Sequence, residues 1–75
     1  MEQLLGILKS IRPDVDFENE TALIDDGILD SFDVVSIISE IDNVFGVQIR
    51  ITELDPENFN SAEAIWKLVQ QLQSK

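Results

Sequence analysis

Apolar positions recur at helical spacing in three stretches of this chain. Over residues 2–11, Leu4, Leu5, Leu8 and Ile11 repeat at intervals of three and four, and Ile7 widens the stripe. Gly6 lowers the local propensity by about 1 kcal/mol relative to alanine. Pro13 sets the end of this first helix, because a proline pushes the residue before it out of the helical region. The second stretch runs from Ser31 to Phe45. With Phe32 at zero and a step of about 100° per residue, Val34, Ile37, Ile38, Ile41, Val44 and Phe45 fall within one arc. That arc is about a third of the circumference, wide enough for a core face. Phe32 and Val35 lie on the far side, beside Ser36, Ser39 and Asn43. Asp30 and Ser31 suit the start of this helix and Gly46 its end. The third stripe, Ile65, Leu68, Val69 and Leu72, predicts a last helix reaching about residue 73. Asn60 or Ser61 caps it, with Glu63 in the capping-box position counted from Asn60. Trp66 either covers the first helix or lies at the bundle edge.

The connections are less regular. From Arg12 to Leu29 no period persists, which is long for a loop in a small domain. Its apolar residues, Val15, Phe17, Leu23, Ile28 and Leu29, are expected to pin it over the core. Residues 47–51 alternate, but nothing else alternates to pair with them. They are therefore expected to form an extended linker with Val47, Ile49 and Ile51 turned inward. Residues 52–59 suit a short helical piece in which Asp55 caps, Pro56 opens the helix and Phe59 packs inward. The pattern predicts an all-α fold: an antiparallel-like four-helix bundle, three helices long and one short, with a long first loop. One domain is expected over residues 1–75.

Charge narrows the partners. Fifteen acidic residues against five basic ones give a net charge of −10 over 75 residues. Such a surface repels nucleic acid and anionic lipid, so charged partners should present Lys and Arg. The chain has no Cys and no His. Disulfides, Cys/His zinc sites and thiol or imidazole catalysis are excluded, and any thiol chemistry must come from an attached group. No apolar run approaches membrane-spanning length and no signal-peptide pattern opens the chain. A cytoplasmic monomer without membrane insertion is expected.

The candidate chemistry lies at Gly27-Ile28-Leu29-Asp30-Ser31-Phe32, where the loop hands over to the second helix. Ser31 has no His, Cys or nearby Lys to activate it, so it is not a self-sufficient nucleophile. Its ordinary role would be a helix cap. A calcium loop fails: with Gly27 at the sixth position, the first and third ligands would be Ala22 and Ile24. No metal site is expected, and Asp25 and Asp26 read as solvated turn residues.

This segment resembles the phosphopantetheine site of acyl and peptidyl carrier proteins, and the resemblance covers nearly the whole chain. It implies a 4'-phosphopantetheine arm, derived from coenzyme A, on Ser31, with Asp30 flanking it as helix cap. The arm would end in a thiol that holds an acyl or aminoacyl group as a thioester. The resemblance also implies a non-catalytic protein. Its partners would be a phosphopantetheinyl transferase, an adenylating or acyl-loading enzyme and a downstream acceptor enzyme. The second helix would dock them through Phe32, Val35, Asp33, Glu40 and Asp42. Ser36, Ser39 and Asn43 make this face less charged than in fatty-acid carriers. Two residues separate Gly27 from Asp30, and Phe follows Ser31. With Ile51-Thr52-Glu53-Leu54-Asp55 and Phe59-Asn60, these features are similar to the D-alanyl carrier proteins of teichoic acid modification. A different class also fits the residues: a small acidic helical adaptor that binds a basic partner and carries no cofactor.

Overall fold

The computed structural model describes residues 2–74, except for the side chain of Ile51. Four helices form: α1 (Glu2–Ile11), α2 (Ser31–Phe45), α3 (Pro56–Phe59) and α4 (Ala62–Gln73), with a 3-10 turn at Ile51–Glu53 before α3. The all-α expectation of three long helices and one short is met. Among the described residues there is no strand. Residues 46–50 are irregular, and Val47 and Ile49 are buried as expected. The inward placement expected of Ile51 lies outside the described side chains.

Each helix has a local cause. α1 ends before Pro13, and the Arg12 N–H makes a last bond to the Leu8 carbonyl at 2.9 Å. α2 stops at Gly46, which adopts the left-handed conformation (φ 66°) and returns its N–H to the Asp42 carbonyl. Only glycine takes that conformation without a steric penalty. α3 opens with Asp55 and Pro56 in the expected positions, although the Asp55 side chain makes no cap bond. α4 is capped by Ser61, whose hydroxyl accepts from the Ala64 N–H at 3.0 Å. Of the two residues expected to cap α4, Ser61 does so, and the capping box counted from Asn60 does not form. The Asn60 side chain works elsewhere: its Oδ1 accepts from the backbone N–H groups of Ile24 and Asp25.

The core joins all three stripes. Leu4 and Leu8 of α1, Ile37 and Ile41 of α2, and Ile65 and Val69 of α4 are buried together. α1 packs on α2 and on α4, and α3 packs on α4. From the long loop, Phe17, Leu23 and Leu29 enter the same cluster, while Val15 and Ile28 are partly buried against it. This is why so long a connection holds its place. Val44 departs from the expected core face of α2 and is 46% exposed. It lies at the edge of the apolar arc, in the last turn of α2. Trp66 is placed against the end of α2, edge-on to Phe45 with ring centroids 5.9 Å apart. This is a favourable aromatic geometry.

No described helix is long and apolar enough to cross a membrane.

Candidate functional site

The site grows from the start of α2. Asp30 is the N-cap in an extended conformation, and its side chain accepts from the Asp33 N–H at 2.9 Å. The Asp33 carboxylate returns to the Asp30 N–H at 3.3 Å. This reciprocal box satisfies two of the donors that a helix start leaves unpaired. Because Asp30 does the capping, Ser31 is free of that duty. It is the first residue of α2 and is exposed. Its hydroxyl sits where helical N–H groups and the helix dipole favour a bound anion.

A side chain that the sequence did not single out ties this segment to the rest of the molecule. Arg12, just past the end of α1, donates through Nη1 to the Ile28 carbonyl at 3.0 Å and to Asp33 Oδ2 at 2.6 Å. Its Nε and Nη2 both reach Asp14 at 3.2 Å. Hydrogen bonds to Asp14 and then Asp33 hold the guanidinium proton more firmly than in a free arginine. In return the Arg12 bond, followed by a backbone bond, holds the Asp14 carboxyl below its ordinary 3.8. Arg12 and Asp33 are 21 positions apart, so no periodic signal links them. The available hint was local: Asp30 and Asp33 stand at the spacing of a capping box.

The long loop is fastened on its other side by Asn60. Besides accepting from Ile24 and Asp25, Asn60 donates to Asp25 Oδ2 at 3.2 Å, and its carbonyl accepts from the Leu23 N–H at 2.9 Å. Asp25 and Asp26 are both exposed turn residues as expected, and Asp25 in addition takes part in this clamp. Between this fastened loop and α3 lies a groove of about 430 Å³ with Ser31 at its edge. Ile24, Leu29, Val34, Leu54, Pro56 and Phe59 give it mainly apolar walls.

Phe32 is 83% exposed and Val35 62% exposed. The long loop does not fold back over either, so both stand on the outside of α2, as the helical arc requires. Glu40 and Asp42 are exposed along the same helix. Asp33 differs from them: its side chain is only 14% exposed and is engaged by Arg12. Its charge is directed into the fold.

The chain is 35% identical over 65 residues to the D-alanyl carrier protein of Bacillus pumilus, covering 84% of this chain and 83% of that protein. It is 32% identical over 76 aligned positions to the D-alanyl carrier protein of Lactococcus lactis subsp. cremoris, covering 93% of this chain and 91% of that one. The chain belongs to the carrier-protein family. A third relative, the D-alanyl carrier protein of Streptococcus equi subsp. zooepidemicus, is 37% identical over 51 residues. That match covers 68% of this chain and 65% of the streptococcal protein, just under two thirds of its length. No family model matches the chain.

At the start of α2 the Ser31 hydroxyl is exposed, the cap role is filled by Asp30, and the helix terminus offers N–H groups to an anion, an arrangement with which a phosphodiester would be compatible.

Proposed function

We propose that this protein is a non-catalytic carrier that bears a 4'-phosphopantetheine arm on Ser31. The observation that carries this reading is an exposed serine at the first position of α2 whose capping role is taken by Asp30. The arm supplies the thiol, and hence the thioester chemistry, that a chain without cysteine lacks. Ser31 holds the phosphodiester, and the start of α2 favours its charge. The apolar groove beside Ser31 shelters part of the arm or its cargo. Phe32 and Val35, with Glu40 and Asp42, form the outer face on which the loading and acceptor enzymes dock. The names of the relatives favour a D-alanyl group as cargo. They also favour a carrier over the cofactor-free adaptor.

Attachment needs no base from this chain, because a separate transferase provides it. The Ser31 oxygen forms a bond to the pantetheine-bearing phosphorus of coenzyme A and gives up its proton. The pyrophosphate P–O bond breaks, and adenosine 3',5'-bisphosphate leaves. Incubation with coenzyme A, magnesium and a phosphopantetheinyl transferase should add the mass of one arm, and Ser31→Ala should abolish the addition while leaving the fold intact. An adduct that persists on the Ser31→Ala chain, or a wild-type chain that takes none, would refute the proposal.

A further inference from the structure

We infer that Arg12 is a positioning residue for the modification of Ser31. This inference rests on the reading of Ser31 given above. The bonds of Arg12 bracket the serine in sequence. Ile28, whose carbonyl it holds at 3.0 Å, comes before Ser31, and Asp33, whose carboxylate it holds at 2.6 Å, comes after it. The same Asp33 oxygen accepts from the Asp30 N–H, and Asp30 accepts in turn from Asp33. One cation thus ties the loop before the serine, the cap beside it and the first turn after it to the end of α1. Its side chain is 30% exposed and that of Asp33 14%, so the pair is partly shielded from solvent.

This tie matters because of what surrounds it. Residues 12–30 form no helix, and the first turn of any helix lacks half its backbone bonds. An exposed serine there is presented in one orientation only if both sides of it are fixed. The loop has other fastenings, among them the Asn60 clamp and the bond from the Leu29 N–H to the Leu23 carbonyl at 2.9 Å, which lie on the side of α3 and the loop itself. Lys9 of α1 reaches Glu18 at 3.4 Å in an exposed pair, well before the segment that leads into Ser31. Losing Arg12 should therefore leave the loop in place and free the segment from Ile28 to Asp33. A transferase would then meet a chain that is competent only part of the time. Its apparent affinity falls in proportion to the competent fraction, while the rate at saturation is kept. Lysine offers a single compact charge in place of a planar fork, so it cannot hold Ile28, Asp33 and Asp14 together.

The test uses the whole chain with coenzyme A, magnesium and a phosphopantetheinyl transferase. Arg12→Ala should raise the KM for the carrier by about tenfold, corresponding to a competent fraction of about one-tenth, with kcat unchanged. Arg12→Lys should recover part of the loss. In the unmodified protein, hydrogen exchange of Arg12→Ala should speed up at the amides of Asp30 and Asp33 while those of α4 keep their protection. Should Arg12→Ala fail to fold, Asp33→Asn breaks the same ion pair from its other end and should reproduce the rise in KM. Leu72→Ala, at the far end of α4, serves as a control of comparable thermal destabilisation. The inference is overturned if wild-type chain is modified and both Arg12→Ala and Asp33→Asn keep its KM, or if Leu72→Ala raises KM equally. A wild-type chain that takes no arm overturns the reading of Ser31 and this inference with it.

Discussion

On one side of α2, Ile37 and Ile41 are wholly buried; on the other, Phe32 and Val35 stand in solvent. All four are large apolar residues on one helix, so propensity does not separate them. Their angular position does. Ile37 and Ile41 join the buried cluster that also holds Leu4 and Leu8 of α1 and Ile65 and Val69 of α4, and their burial gives the helix its place in the bundle. Phe32 and Val35 lie on the outer side, Phe32 almost wholly in solvent and Val35 exposed at the rim of the groove beside Ser31. Burying a large apolar side chain is worth about 1.5–3 kcal/mol. The outer pair forgoes that gain within the chain; under the proposed function a docking partner would recover it. The inner face thus serves folding, and the outer face, beside Ser31, is available for recognition.

The largest expected effect is on the inner face. Ile41→Ala should cost about 2–5 kcal/mol through lost burial and the cavity left behind. At roughly 4–8 °C per kcal/mol for a domain of this size, the melting temperature should fall by about 10 °C or more. Calorimetry or thermal circular dichroism measures it. A fall of only a degree or two would mean that the two faces differ less than their burial states.

Phe32→Ala should show the opposite pattern. Exposed substitutions usually change stability by no more than about 0.5 kcal/mol, so melting should barely move. Loading of the arm by the adenylating enzyme should weaken by roughly tenfold or more, if a partner covers the ring and its burial contributes as above. Both measurements belong on one variant. A large loss of stability would assign Phe32 to the core, and unchanged loading would remove it from the docking face.

The division between the faces of α2 was legible in the sequence because a period of 3.6 residues writes it there. The helix ends at Pro13 and Gly46, the cap at Asp30 and the buried Phe17, Leu23 and Leu29 were legible for similarly local reasons. Val44 was not, because the arc of a helix does not say how far along it the neighbouring helices reach. The ties from Arg12 to Asp33 and from Asn60 to Ile24 were invisible for a different reason. They join residues 21 and 36 positions apart, and a single polar pair of that kind leaves no repeating pattern. Asn60 illustrates the cost: its place before α4 made it a plausible cap, yet the fold uses it to hold the wall of the groove. At the candidate site, the serine and its cap could be read from local sequence, while the cation that braces them required the fold.

The smallest expected effect concerns salt, and it should act on the two faces in opposite directions. The chain carries a net charge of −10, which repels itself in the folded state. Against this stand ion pairs that salt also weakens: Lys9–Glu18, Arg12–Asp14 and Lys67–Glu63 are mostly exposed, and exposed pairs are worth about 0–1 kcal/mol each. Arg12–Asp33 is better shielded and less sensitive. The excess of acids has no cation to meet, so repulsion should outweigh the lost pairs. Raising sodium chloride to about 0.5 M, where the Debye length is only a few Å, should raise the melting temperature by a few degrees. Ile41→Ala should show the same increment, because packing and distant surface charge act independently. Docking responds the other way. If Glu40 and Asp42 meet basic groups on the loading enzyme, the same salt should lower kcat/KM for loading by slowing charge-steered association. Neutralising both acids with Glu40→Gln and Asp42→Asn should remove much of that salt dependence while leaving the contribution of Phe32 in place. Melting lowered by sodium chloride would show that the ion pairs dominate the charge balance, and loading indifferent to salt would leave the outer face of α2 purely apolar in its recognition.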